Sequence, residues 1–136
     1  MQASTLKTLS LPLGQVTYYD IGKGKPILLL HGFPDTPSTF RHQIDALNAR
    51  GYRCLIPYLP GYGASSPPRR GGNSMLAIAE ILEQFMARAA AGEQVSIYGH
   101  DWGSVIAQVM SSLHYQPKYP TAYTLDKLIL CAVPPA

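Results

Sequence analysis

The sequence predicts an α/β fold, built as a mostly parallel sheet with helices on both of its faces. Short apolar runs of strand type, such as "PILLLHG" at residues 26–32, alternate with amphipathic segments of helical period, such as "STFRHQIDALNAR" at residues 38–50. Strands that alternate with helices imply right-handed crossovers, and continuous apolar strands are typical of burial on both faces. The 136 residues, 46% of them hydrophobic and 14% charged, match one globular domain rather than a disordered chain.

The first half of the chain predicts four strands and one helix. "TLKTLSLPLG" and "QVTYYDIG" alternate as two strands of a hairpin closed by "GKGK", and "PILLLHG" forms the third strand. The helix at residues 38–50 places Phe40, Ile44 and Leu47 on one face and stops at Gly51. "YRCLIPYLPGYG" then predicts a fourth strand that runs into a turn-rich loop.

The second half predicts two helices and two strands. Asn73 or Ser74 caps a helix over "MLAIAEILEQFMARAA", which Gly92 ends. The inward face of this helix is predicted to consist of Leu76, Ala79, Leu82, Phe85 and Met86. "QVSIYGH" is the fifth strand, "GSVIAQVMSSLHY" the third helix, and "LDKLILCAV" the sixth strand after the loop "QPKYPTAYT".

Charge, hydropathy and cysteine content exclude several classes of function. The net charge of +3 comes without a run of Lys or Arg, and "PPRR" is a short solvated loop, so we expect no nucleic-acid partner. No signal-peptide core and no apolar run of roughly 18 residues occurs, so we expect a cytoplasmic protein that stays out of membranes. Cys54 and Cys131 lie in apolar runs and predict two buried free thiols. Metal-ligand spacing and phosphate-binding loops are absent, so neither a metal nor a cofactor is expected.

The unusual segments of the sequence follow the predicted strands. "HGFPD" comes after the third strand, "PGYGAS" after the fourth, "GHDWG" after the fifth and "VPPA" after the sixth. Ligands of such sheets bind beyond the carboxyl ends of the strands. The four segments therefore predict one site at that edge of the sheet.

The segment "GHDWG" places Asp101 between Gly99 and Gly103, where a strand gives way to a helix. This pattern predicts a sharp elbow that lifts the middle side chain above the sheet. The middle residue takes a strained dihedral, and the two glycines remove Cβ atoms that would clash. The helix N-terminus also favours an ionised carboxylate there. The alternative is an ordinary aspartate N-cap.

A carboxylate nucleophile narrows the chemistry. It attacks a saturated carbon that carries a leaving group, as in an epoxide or an alkyl halide, and forms an ester of its own side chain. Hydrolysis of that ester passes through an oxyanion that needs two N–H donors. Trp102, directly after Asp101, can supply one amide, and Phe33 in "HGFP" can supply the other.

These residues resemble a known family. "LLLHGFPDTPSTFRHQIDAL", "GYGAS" and "YGHDWGSVIAQ" are similar to the α/β-hydrolase fold and, within it, to the epoxide hydrolases, over residues 16–135. The resemblance implies that Asp101 is the nucleophile and that the Phe33 and Trp102 amides form the oxyanion hole. It also implies that His31 and Gly32 shape the oxyanion loop, with Pro34 in a cis peptide bond after Phe33. "PYLPGYG" departs from the family pattern, which often has an acidic residue and an arginine there.

The four histidines and Trp102 have competing interpretations. His31 precedes a glycine turn and is predicted to be a structural hydrogen-bonding group, with a catalytic base as the alternative. His100 is predicted to serve packing, because neighbouring strand residues point to opposite faces. His42 and His114 lie on helices and are predicted to be solvated. For Trp102, packing alone and an indole N–H that binds a halide remain equally open.

The resemblance also implies parts that the six predicted strands do not include. The family builds eight strands, and its base histidine, supporting acid and cap tyrosines follow the sixth. Residues 1–136 are therefore expected to be the N-terminal part of one core domain, with the cap and the C-terminal part absent. Such a chain is expected to be inactive alone, and the free edge of its sixth strand to self-associate or pair with a C-terminal half.

Three functions remain open. The first is hydrolysis of a small apolar epoxide to a diol through the Asp101 ester. The second is haloalkane or haloacid dehalogenation by the same aspartate mechanism. Phe33 stands where haloalkane dehalogenases usually have asparagine, and Trp102 replaces the arginine expected of fluoroacetate dehalogenases. The third is a non-catalytic truncated hydrolase fragment.

Overall fold

Six strands and three helices make up the described part of the chain. The computed structural model describes residues 6–32, 35–63, 65–72, 74–116 and 122–131. The elements in chain order are β1 (Leu6–Leu11), β2 (Gly14–Ile21), β3 (Lys25–Leu30), a 3₁₀ turn (Pro37–Phe40) leading into α1 (Arg41–Ala49), β4 (Tyr52–Pro57), α2 (Met75–Ala89), β5 (Gln94–His100), α3 (Trp102–His114) and β6 (Thr124–Cys131).

The strands form one mixed sheet in the order β1-β2-β4-β3-β5-β6. Neighbouring strands pair in parallel across β4, β3, β5 and β6, whereas β2 is antiparallel to both β1 and β4. The predicted mostly parallel sheet is therefore confirmed, with an antiparallel hairpin at one edge. The predicted closure of that hairpin by "GKGK" is wrong, because β1 and β2 are joined at Pro12 and Leu13. "GKGK" instead links β2 to β3.

Apolar side chains bury both faces of the sheet. On one face, α2 and α3 pack against the strands around Phe85 and Ile97, both fully buried. On the other face, Phe40 of the 3₁₀ turn and Ile44 of α1 pack against Ile27 and its neighbours in β3 and β4. On both sides of the sheet, the buried side chains of the helices recur with a period of 3.6 residues. The predicted apolar face of the helix at residues 38–50 is confirmed.

α2 follows Ser74 and buries one side of its helix. The Ala77 amide donates to Ser74 Oγ at 3.1 Å, which makes Ser74 the N-cap. The buried side includes Ile78 and Ile81, whereas Leu76 lies on the opposite side, which also carries Glu80, and is 50% exposed. The prediction that Leu76 faces inward is therefore wrong, whereas the other four predicted positions are buried. α2 has 15 residues, and within the described ranges no helix is both long and apolar enough to cross a bilayer.

β6 forms one edge of the described sheet. It pairs with β5 on one side, and its apolar residues Leu128, Ile129 and Leu130 are 36 to 41% exposed. Cys131 is also exposed, which corrects the prediction of a buried thiol there, while Cys54 is buried and both thiols are free. The difference arises because β6 is an edge strand and Cys54 lies in a central one. Association through this edge stays a prediction, and sedimentation of the chain is the measurement that checks it.

Candidate active site

The parallel strands bring three of the four unusual segments to one edge of the sheet. β3 and β5 are neighbours, with Leu30 opposite Gly99, so the residues that follow them emerge side by side. β4 pairs with β3 on the other side and leads into "PGYGAS". The fourth segment, "VPPA", lies outside the described residues. The carboxyl edge of β3, β4 and β5 is therefore the candidate active site.

Asp101 has the backbone conformation predicted for the elbow. Its φ is 57° and its ψ is −124°, and within the described part of the chain it is the only non-glycine residue with positive φ. Its amide donates to the Cys131 carbonyl at 3.1 Å, and its own carbonyl accepts from Ser104 N at 2.9 Å. The carboxylate makes no capping hydrogen bond to α3. The ordinary N-cap interpretation is therefore wrong, and the conformation carries strain of about 1–3 kcal/mol.

Gly99 and Gly103 allow the elbow to press against the neighbouring backbone. A Cβ atom on Gly99 would lie 2.3 Å from the Gly103 carbonyl oxygen. A Cβ atom on Gly103 would lie 2.2 Å from the Leu30 carbonyl oxygen. Both distances are far below van der Waals contact, and both partners are backbone atoms, which side-chain rotation cannot move. The predicted reason for two glycines in "GHDWG" is confirmed.

The Asp101 side chain rests against the loop after β3. A Cβ atom on Gly32 would lie 2.5 Å from both Cβ and Oδ2 of Asp101. The Asp101 side chain therefore packs closely against the backbone of Gly32, one residue before Phe33. Phe33 and Pro34 lie outside the described residues, so the Phe33 amide and the cis bond stay predictions. Trp102 begins α3 and is 47% exposed, which argues against packing as its sole role.

His31 is fully buried and both of its ring nitrogens are engaged. Nδ1 lies 2.8 Å from the Gly32 carbonyl oxygen, and Nε2 accepts the Leu59 amide at 3.1 Å. This pair of contacts fixes the neutral tautomer with the proton on Nδ1. Burial lowers the pKa of His31 below its usual value, which the Gly32 hydrogen bond only partly offsets. The structural role predicted for His31 agrees with these contacts, because the ring ties the loop after β3 to the loop after β4.

We expect His31→Ala to destabilise the fold by about 3 kcal/mol, since it removes two buried hydrogen bonds and leaves a cavity. His42 is exposed on α1, so His42→Ala should change the free energy of unfolding by less than about 0.5 kcal/mol. The lowered His31 pKa means that its contribution is full above pH 6.5 and declines as the pH falls below that value. Urea unfolding of both variants at pH 5 and pH 8 checks this, and equal effects of the two would contradict it.

Comparison with known proteins identifies the family. The model for the α/β hydrolase fold matches residues 25–131. The chain belongs to the α/β-hydrolase fold family. It is 40% identical to epoxide hydrolase 3 of Siraitia grosvenorii over 88 residues, which cover 64% of this chain and 28% of that relative.

Solved structures agree with this assignment. An epoxide hydrolase variant of Vigna radiata superposes with a TM-score of 0.73 at 27% identity, covering 95% of this chain and 38% of that one. An esterase of Exiguobacterium antarcticum gives 0.77 at 25% identity, covering 93% of this chain and 46% of that one. The chain thus spans less than half the length of these relatives. The resemblance inferred from the sequence is confirmed.

For the other three histidines of this α/β-hydrolase chain, the environments predicted from the sequence agree with the structure to different degrees. His100 ends β5 half-buried, and its Nδ1 is buried without a hydrogen-bond partner in the part of the chain that the structure describes. His42 is exposed as predicted. His114 was predicted to be solvated, but it is 7% exposed and stacks on Tyr123 with ring centroids 4.6 Å apart. The prediction failed because the cover comes from a residue outside its helix.

Sequence reasoning missed Ser65, which positions the loop after β4. Its hydroxyl accepts the Thr17 amide at 3.0 Å and donates to the Tyr58 carbonyl at 2.7 Å. These bonds anchor "PGYGAS" to β2 beside the candidate site. Its place in the turn-rich segment was a signal, because a small hydroxyl side chain is suited to satisfy loop backbone groups.

Proposed function

We propose that the chain supplies the nucleophile of an epoxide-hydrolase-like enzyme, with Asp101 as the attacking carboxylate. The observation that supports this most is the strained Asp101 backbone together with a carboxylate that does not cap α3 and rests on Gly32. Strain at a polar residue is retained where the surrounding structure enforces it, and it concentrates at functional sites. The names of the matched relatives support an epoxide as the substrate.

The reaction proceeds in two steps. A carboxylate oxygen of Asp101 attacks an epoxide carbon, the carbon–oxygen bond of the ring breaks, and the resulting alkoxide takes a proton from an acid. Water then attacks the carbonyl carbon of the Asp101 ester and gives a proton to a base. The oxyanion accepts hydrogen bonds from the Trp102 and Phe33 amides. Its collapse breaks the bond to the substrate oxygen, which takes the proton back from the base as the diol leaves. The freed Asp101 carboxyl group returns its proton to the acid and is a carboxylate again.

The acid and the base are proposed to come from polypeptide other than the described residues. His31 has no free ring nitrogen, His42 is exposed on α1, and His114 lies in a separate buried cluster. We therefore propose that residues 1–136 correspond to the N-terminal part of a hydrolase core. Free thiols at Cys54 and Cys131 support a reducing, cytoplasmic compartment.

An alkyl halide is the second candidate substrate. Trp102 follows Asp101 directly and is 47% exposed, and in this proposal its indole N–H binds the halide leaving group. The same Asp101 ester would form, with halide in place of the alkoxide. A halide needs no proton donor to leave, and this difference separates the two candidates experimentally.

Covalent labelling tests the proposal. We expect slow, stoichiometric addition of one molecule of styrene oxide to Asp101 when a buffer acid supplies the proton, detected by peptide mass spectrometry. Asp101→Asn should remove the label, whereas Asp35→Asn, on the loop after β3, should keep it. Release of bromide from 1-bromobutane with the same adduct would instead favour the halide. Absence of an Asp101 adduct with both reagents would contradict the aspartate mechanism and favour a non-catalytic chain.

A further inference from the structure

A buried cluster of ionisable side chains lies apart from the candidate active site and joins three elements. Glu83 lies on α2, His114 lies in the last turn of α3, and Tyr123 directly precedes β6. Tyr123 is 4% exposed and His114 is 7% exposed. The Glu83 side chain is 11% exposed. The proposed reaction uses none of these groups, although burial of a carboxyl group is costly unless its contacts compensate.

The three side chains contact one another directly. The Tyr123 hydroxyl donates to Glu83 Oε1 at 2.5 Å. The His114 ring stacks on Tyr123, and His114 Nδ1 lies 3.7 Å from Glu83 Oε2. That distance is too long for a hydrogen bond, and Nδ1 has no other partner in the described ranges. As long as His114 is neutral, the net charge of the cluster depends on whether the Glu83 carboxyl group carries its proton.

The surroundings give Glu83 little to balance a negative charge. Tyr115 packs edge-on against His114 at 5.2 Å, and Glu80 lines the same cavity as Glu83 one helical turn earlier. Among the described residues, no lysine or arginine forms an ion pair with Glu83. The cavity has a volume of about 200 Å³ and also touches Tyr123, so water can approach the carboxyl group.

We propose that Glu83, His114 and Tyr123 form a proton-operated latch. The protonated Glu83 carboxyl lets Tyr123 and the start of β6 pack against α2 and α3. Ionisation strengthens the hydrogen bond from Tyr123 but leaves a buried charge without a cation, and this cost loosens the segment. The same segment is held by the Gly92 amide, which donates to the Ala122 carbonyl, and by the Thr124 amide, which donates to the Glu93 carbonyl.

β6 connects the latch to the elbow. The strand begins directly after Tyr123, and its last residue, Cys131, accepts the Asp101 amide at 3.1 Å. A loosened start of β6 therefore acts on the strand that holds the elbow backbone. The latch itself does not depend on the proposed reaction, since it shares no residue with it.

The pH dependence follows from the direction of each shift. Burial raises the pKa of Glu83 from 4.5 to about 7, against the opposing hydrogen bond from Tyr123. The stabilising effect of the protonated carboxyl is therefore full below pH 4.5 and lost once the pH has risen through about 7. Burial lowers the pKa of His114, so its contribution is instead lost as the pH falls below 6.5. Burial and Glu83 raise the pKa of Tyr123, which keeps its proton throughout.

Glu83→Gln isolates the proton, because glutamine has the same shape, still accepts from the Tyr123 hydroxyl and cannot ionise. Asp45→Asn removes one carboxylate charge at an exposed position of α1, on the other face of the sheet, and serves as the control. We expect Glu83→Gln to gain stability relative to the parent chain as the pH rises from about 5 to 7.5, by roughly 100-fold in the unfolding equilibrium constant. At pH 7.5, the amide hydrogens of residues 122–125 should exchange more slowly in the Glu83→Gln variant than in the parent chain. Asp45→Asn should follow the parent chain.

Two further measurements test the latch without relying on the stability of the Glu83→Gln variant. Carbon-13 NMR titration of the Glu83 carboxyl in the folded parent chain should give a midpoint near 7, and a midpoint near 4.5 would overturn the latch. Tyr123→Phe keeps the ring stack but removes the donor to the carboxylate, so the midpoint should rise. A Glu83→Gln difference that is equal at all pH values, or unchanged exchange in residues 122–125, would also overturn it.

Discussion

Gly103→Val is expected to abolish cooperative folding of the chain. A Cβ atom at this position would lie 2.2 Å from the Leu30 carbonyl oxygen and 2.7 Å from the His31 carbonyl oxygen. Both atoms belong to the backbone at the end of β3, so the clash can be relieved only by moving α3 away from the sheet. Such a shift would expose core residues of α3, including Ile106 and Met110. We expect a loss of more than about 4 kcal/mol, a large part of the stability of a single domain.

Gly51→Ala is the control for this substitution. Gly51 has a φ of +85°, yet nothing lies within 4 Å of the position that a Cβ atom would occupy. It should therefore cost only about 1–2 kcal/mol from backbone strain. Circular dichroism and urea unfolding of the two variants separate steric conflict from backbone strain. A Gly103→Val chain that unfolds cooperatively at a parent-like urea concentration would contradict the close approach of α3 to β3.

The elements of the fold could be predicted because their signals are local. Periodicity and terminal residues located every strand and helix of the described part, and "GHDWG" located the positive φ of Asp101. The inward face of α2 was predicted less well, because Leu76 is apolar yet lies on the side of the helix that carries Glu80. The buried side instead includes Ile78 and Ile81, and Leu76 is exposed to solvent. A local pattern thus gives an element more reliably than its rotation.

The environment of a side chain depended on contacts that are distant in sequence. The burial of His114 comes from Glu83 and Tyr123, which belong to other elements. The exposure of Cys131 follows from the place of β6 at the edge of the sheet, and the strand order is not written in any single segment. The same order places β3 beside β5 and so brings Gly32 to Asp101. From sequence this proximity followed only from the general rule for parallel sheets and from the family resemblance.

The 136-residue chain assayed by itself is expected to show no multiple-turnover hydrolysis of epoxides. After Asp101 has formed its ester, release of the diol needs a base that activates water. His31 cannot serve, because Nδ1 is bound to the Gly32 carbonyl and Nε2 accepts the Leu59 amide. His100 has a buried Nδ1 at the end of β5. A positioned acid or base contributes about 10²- to 10⁴-fold to a step, and losses within one catalytic unit leave little residual rate.

Diol formation over many hours, measured by chromatography, should therefore exceed the uncatalysed background by no more than one equivalent per chain. Adding a polypeptide that carries a C-terminal hydrolase half, with its cap, acid and histidine, should restore turnover. Asp101→Ala should then abolish it, because the carboxylate is the only group in the proposal that bonds to substrate carbon. Rapid diol formation by the chain alone, lost in a His31→Ala or His100→Ala variant that circular dichroism shows to remain folded, would make one of these histidines the base. That result would leave the Asp101 ester in place but assign the whole reaction to residues 1–136.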